Sequence, residues 1–171
     1  MTKSFLISAC FIFCAALIET TILSNIYILL VGPDLVLICS VYISLLNGKT
    51  FGQLSGFISG MTLDFVTGVP FGLNCIFRTI VGYIYGLFAN HIVISGIVIP
   101  VLTVGSATIL KAVLIWVISL FYTAINPVSI LSFDFLFEII SNIILAPFIF
   151  KFLSFFKLTI SINPENRNLN A

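Results

Sequence analysis

Apolar residues run along this chain in long blocks, interrupted by short clusters of charged, glycine and proline residues. No block shows the in–out alternation of a barrel strand, and each is long enough to satisfy its own backbone, so the blocks read as helices. The interruptions set their limits. They predict a first helix from Ser4 to Leu23, a second apolar stretch from Ile26 to Leu46 and a third from Thr50 to Val66. A fourth follows from Leu73 to Ala89, a fifth from Ser95 to Tyr122 and a sixth from Phe133 to Phe150. A crossing takes about 20 apolar residues. The expected fold is therefore all-α, a polytopic integral membrane protein built as a compact bundle of about six transmembrane helices. Residues 1–157 form one transmembrane domain and residues 158–171 a short cytoplasmic tail that frays.

The second stretch is broken by Gly32-Pro33-Asp34. Counted from Pro33, its helix has about 14 residues and a length of roughly 20 Å, short of a bilayer core. The expected solution is a loop from Ile26 to Val31 that dips into the outer leaflet, then a short helix. Pro33 suits the first turn of that helix and Asp34 its positive end.

Composition narrows the class. Of 171 residues, 60% are hydrophobic and 8% charged, with mean hydropathy +1.26. Too few polar atoms exist to cover a water-exposed surface, which excludes a soluble enzyme and a disordered chain. The formal charge of +1 offers no basic patch for nucleic acid. The placement of charge also sets orientation. With both termini cytoplasmic, Lys3, Lys49, Lys151, Lys157 and Arg167 share the inner side, and the outer loops hold Asp34 and Asp134 but no Lys or Arg. Ile7-Ser8-Ala9-Cys10 has the shape of a lipoprotein cleavage box, yet only Ser4, Phe5 and Leu6 separate it from Lys3, so the first helix reads as uncleaved. Lys151 and Lys157 bracket Phe152, Leu153, Phe155 and Phe156, an interfacial anchor.

Chemical motifs are sparse. Gly48-Lys49-Thr50 resembles the end of a phosphate-binding loop, but Ile43 stands where the first glycine belongs, and the segment reads as a turn. His91, the single histidine, lies between the fourth and fifth helices without an acidic neighbour. Cys10, Cys14, Cys39 and Cys75 sit in apolar segments and behave as small hydrophobes. No metal, cofactor or catalytic triad is expected.

Two patterns stand out against this background. Gly52, Gly56 and Gly60 recur at every fourth position, and Gly82 and Gly86 share a face on the next helix. Small residues at this spacing let helix backbones approach closely, either between the third and fourth helices or between two copies of the chain. The second pattern is charge inside apolar helices: Glu19, Asp64, Arg78, Lys111 and Glu138. Each costs roughly 2.5–3.5 kcal/mol at a helix centre on insertion scales, so these groups must pair, face inward or sit near an interface. Depth counting puts Glu19, Asp64, Arg78 and Glu138 in the outer half, with Lys111 nearer the middle and able to snorkel outward. It also makes Asp64 and Arg78 an expected pair across the turn between the third and fourth helices. The polar set suits an internal salt-bridged core, a surface for a partner's membrane helix, or a substrate or ion site.

From Pro33 to Gly86 the order of motifs is Pro33-Asp34-Leu35, the ladder Gly52, Gly56, Gly60, then Asp64, Gly68-x-Pro70-x-Gly72-Leu73 and Gly82-Tyr83. This stretch resembles the MreD family of the bacterial rod-shape system. The resemblance implies a non-enzymatic subunit of the cell-elongation machinery in the bacterial cytoplasmic membrane, surrounded by membrane lipid. It further implies association with MreC and, through it or directly, with MreB and the synthase formed by RodA and its penicillin-binding protein. The alternative is a substrate-binding S component of an energy-coupling-factor vitamin transporter, of similar size and helix number. A membrane-embedded transferase would need a paired acidic motif for a metal–phosphate headgroup, and none is present.

Overall fold

The computed structural model describes residues 2–21, 32–68, 70–89, 91–94, 96–121 and 132–161. Within them the chain is all-helical: α1 (Thr2–Thr21), α2 (Leu35–Asn47), α3 (Lys49–Thr67), α4 (Leu73–Leu87), α5 (Val98–Phe121), α6 (Phe133–Phe155) and a final turn, α7 (Lys157–Ile160). Three of these helices are long and apolar enough to cross a membrane, over Ser4–Thr21, Val98–Phe121 and Phe133–Phe155. Two more, α2 and α4, are apolar but shorter.

The short helix α2 is the centre of the bundle. It packs against α1, α3, α4, α5 and α6, and every residue from Leu35 to Leu46 is buried. A helix apolar on all faces is stable only when other helices surround it. Its 13 residues span about 20 Å, and over that length α2 is surrounded by its neighbours. The N-cap of α2 is Asp34, so Pro33 precedes the helix and does not open its first turn. Residues 26–31, the expected outer-leaflet loop, lie outside the described residues.

A single residue, Gly48, joins α2 to α3. Its φ of 87° lies in the left-handed region that favours glycine, and this allows the corner with no further linker. The helix ends otherwise fall close to the expected limits. Two differences stand out: α6 runs past the expected Phe150 to Phe155, and Lys157–Ile160 form a helical turn with Ile160 fully buried, while residues 162–171 of the expected tail lie outside the described residues.

One end of the bundle gathers both ends of the described chain. The Ser4 hydroxyl donates to the Ser161 carbonyl at 3.4 Å, and Phe11 packs on Phe152 and Phe156. Phe5 meets Phe51 edge to face at the same end, beside the start of α3.

Candidate functional site

The glycine ladder is an internal seam. A Cβ on Gly52 would run into the Gly82 carbonyl, one on Gly82 into the Gly52 carbonyl, and one on Gly56 into the carbonyl of Arg78. On Gly60 it would stand 2.5 Å from backbone of Asn74 and Cys75, and on Gly86 2.6 Å from the Lys49 Cα. The α3 and α4 backbones therefore touch along their whole shared length, as close small-residue packing in lipid requires. Between the ladder positions, the hydroxyls of Ser55 and Ser59 donate to the carbonyls of Gly52 and Gly56 within α3. Both hydroxyls are thereby paired within their own helix.

That close approach brings Arg78 to the start of α2. Its Nη2 donates to both carboxylate oxygens of Asp34, at 2.8 and 2.9 Å, with Arg78 2% and Asp34 4% exposed. Lys111 of α5 reaches the same carboxylate at 2.8 Å and Glu138 of α6 at 2.7 Å. Lys111, which its depth left able to snorkel outward, is turned inward between two acids. Charge-assisted bonds of this length are the strong ones, and they are what makes buried ions tolerable.

The helix terminus explains why an acid sits here. The first N–H groups of a helix have no partner within it, and inside a membrane no water supplies one. Asp34 Oδ1 accepts from the Leu37 N–H at 2.8 Å, and Glu19 Oε2 of α1 accepts from the Val36 N–H at 3.0 Å. The Asp34 N–H donates to Asn142 Oδ1 at 2.8 Å, and the Asn142 amide donates to Thr108 Oγ1 at 3.1 Å. Four helices, α1, α4, α5 and α6, thus bring polar groups to Asp34 and the start of α2. Two donors remain: Arg78 Nε and Nη1 are buried and make no hydrogen bond.

Asp64 stands apart from this cluster. Its carboxylate accepts from the backbone N–H groups of Gly72 (2.9 Å), Asn74 (3.1 Å) and Cys75 (3.3 Å) and from the Asn74 side chain (2.9 Å). It therefore closes the N-terminus of α4 from the neighbouring helix. The expected Asp64–Arg78 pair does not form: Arg78 lies about one and a half turns further along α4, level with Asp34. The charged residues singled out from the sequence fall into two groups. Arg78, Lys111 and Glu138 are joined through Asp34, with Glu19 on the same helix start, and Asp64 is alone.

Sequence reasoning missed Asp34 as a partner, and Asn142 and Thr108 altogether. A signal was available. Thr108 precedes Lys111 by three positions and Asn142 follows Glu138 by four, so each shares a helix face with the charge it accompanies. The remaining candidates are peripheral. His91 is exposed between α4 and α5, Cys10 and Cys14 are exposed on α1, and Cys39 and Cys75 are buried as free thiols.

Long apolar helices around a fully buried short one, with ionised groups turned toward each other, define a helical membrane protein. A family model described as rod shape-determining protein MreD matches residues 1–156. The chain belongs to the MreD family. No curated protein and no solved structure matches it.

Proposed function

We propose that the chain is a non-enzymatic scaffold subunit of the bacterial cell-elongation complex, acting through helix–helix contacts with MreC and other elongation proteins in support of peptidoglycan synthesis. The observation that carries this reading is membership of a rod-shape-determining family over residues 1–156. The arrangement of charge supports it: Asp34, Lys111 and Glu138 are engaged with each other or with Arg78, and the glycine face is filled by α4. We assign Glu19, Arg78, Lys111 and Glu138, with Asp34, the role of fixing the bundle's shape. Asp64 and the seam glycines Gly52, Gly56, Gly60, Gly82 and Gly86 hold the α3–α4 hairpin that partners would meet.

The chain crosses the cytoplasmic membrane six times in this reading, with both termini inside, residues 1–157 as one domain and 158–171 as the inner tail. The shared location of Ser4 and Ser161 at one end of the bundle supports an even number of crossings, as does the distribution of lysine.

Depletion tests the function. Rod-shaped cells deprived of the protein are expected to round up and to lose localised wall synthesis, with MreC no longer co-purifying with the elongation proteins. Unchanged shape together with loss of a vitamin-uptake activity would overturn the scaffold reading in favour of the transporter component.

A further inference from the structure

The charge cluster at the start of α2 does not balance. Glu19, Asp34 and Glu138 supply three carboxyl groups, and Arg78 and Lys111 supply two cations. Asp34 holds both cations and Glu138 holds Lys111. Among the described residues Glu19 has no cation within ion-pair distance, and its one hydrogen bond is from the Val36 backbone N–H. It nevertheless lies within electrostatic reach of Asp34, Arg78 and Lys111. A surplus ionised carboxylate in a membrane interior is expensive, and the common resolution is to neutralise the group that lacks a partner. Asp34, as the N-cap, already answers the partial positive charge of the α2 terminus.

Arg78 supplies the second observation. Its Nε and Nη1 are buried donors with no acceptor, although a carboxyl group lies in the same cluster. An ionised Glu19 would be drawn to those donors, whereas a neutral one keeps the bond it accepts from the Val36 amide and leaves its O–H on the partly exposed side of the residue. We propose that Glu19 is a proton-binding site: it stands as a neutral carboxylic acid on the Val36 amide, and on losing its proton it moves to the free N–H groups of Arg78. The O–H bond breaks, the electron pair stays on the carboxylate, and the proton leaves to water. The Val36 N–H then loses its acceptor from α1.

Asp34 at the head of α2, Cys39 of α2, Arg78 of α4 and Lys111 of α5 lie within electrostatic reach of Glu19. Asp64 of α3 is engaged by the backbone of α4, and Lys157 of α7 is at the opposite end of α1. Glu138 acts through Lys111. The site is independent of which protein the bundle binds.

Infrared spectroscopy of the purified full chain in lipid nanodiscs tests the proposal. At neutral pH the wild-type protein should show the carbonyl stretch of a protonated carboxylic acid. That band should shift when glutamate is labelled with carbon-13, vanish completely in Glu19→Gln, persist in Glu138→Gln, and bleach as pH is raised. Absence of the band overturns the proposal, and so does a band that ignores glutamate labelling or survives Glu19→Gln. If Glu19→Gln fails to fold, the labelled chain with Glu138→Gln and with Glu165→Gln decides: a band that disappears in either variant belongs to that residue and overturns the assignment.

Discussion

Arg78 of α4 and Asp34 at the head of α2 form a buried ion pair across 44 positions of sequence, with one guanidinium nitrogen shared by both carboxylate oxygens. The partner of Arg78 is not its nearest acid along the chain but the residue that caps the central helix.

The two acids therefore answer differently to substitution. Removing one member of a buried pair strands the other, at about 3–5 kcal/mol. Asp34→Asn is expected to lose about that much, because it releases Arg78 and weakens the hold on Lys111. Glu138→Gln should lose less, since Lys111 keeps Asp34. Thermal unfolding in detergent ranks the variants, and equal losses would contradict the hub role of Asp34.

A double-mutant cycle distinguishes partner from bystander. Asp34→Asn combined with Arg78→Gln should be non-additive by at least about 1 kcal/mol, as groups in direct contact are. Asp64→Asn combined with Arg78→Gln should add within about 0.5 kcal/mol. Strong coupling of the second pair would restore the hairpin pairing that depth counting suggests.

Asp64→Ala removes the acceptor for three backbone N–H groups at the start of α4. The loss should resemble that of a helix cap, about 1–2 kcal/mol, and Asp64→Asn should recover part of it. Hydrogen exchange at Asn74 and Cys75 reads the effect locally: faster exchange is expected there, with the α2 amides unchanged.

Gly82→Ala should be damaging and Gly105→Ala nearly neutral. The first places a methyl group into the Gly52 carbonyl, backbone against backbone, with no flexible side chain to give way. The second meets only the Ile143 side chain, at 3.4 and 3.5 Å. Overpacking of this kind costs about 1–3 kcal/mol where backbones can shift, so Gly82→Ala is expected to lower accumulation of the folded protein severalfold. Similar yields of the two variants would mean that the seam opens easily.

Orientation is accessible to reporter fusions. A reporter joined after Ala171 should report cytoplasm, and one placed between Asn126 and Ser132 the periplasm. An external C-terminus would refute six crossings.

Helix positions were readable from the sequence because lipid leaves few alternatives: an apolar run between polar interruptions has to be a helix. α4 begins at the expected Leu73, and α6 at the expected Phe133. The presence of a polar network was readable for the same reason, since each charge in an apolar run needs a partner. Which charge meets which was not. Counting depth from the nearest turn assumes that every helix starts at a membrane face. Asp34, placed on that assumption in an outer loop, starts a helix that begins within the bundle, so it falls level with Arg78 and not above it. The glycine periodicity left two surfaces possible, and only the position of α4 shows that the ladder is closed from within.

The central position of α2 bears on how the protein is made. A 13-residue segment headed by an aspartate is a poor substrate for the translocon, too short to span alone and carrying an unpaired charge. Its first cation, Arg78, is synthesised 44 residues later, and its second, Lys111, 77 residues later. At translation speeds of about 5–20 residues per second, α2 waits on the order of ten seconds for the helix that completes its surroundings. During that interval the nascent chain depends on whatever holds a short apolar segment with a charged head at the edge of the lipid, which makes biogenesis, ahead of the finished bundle, the stage most exposed to loss of an insertion factor.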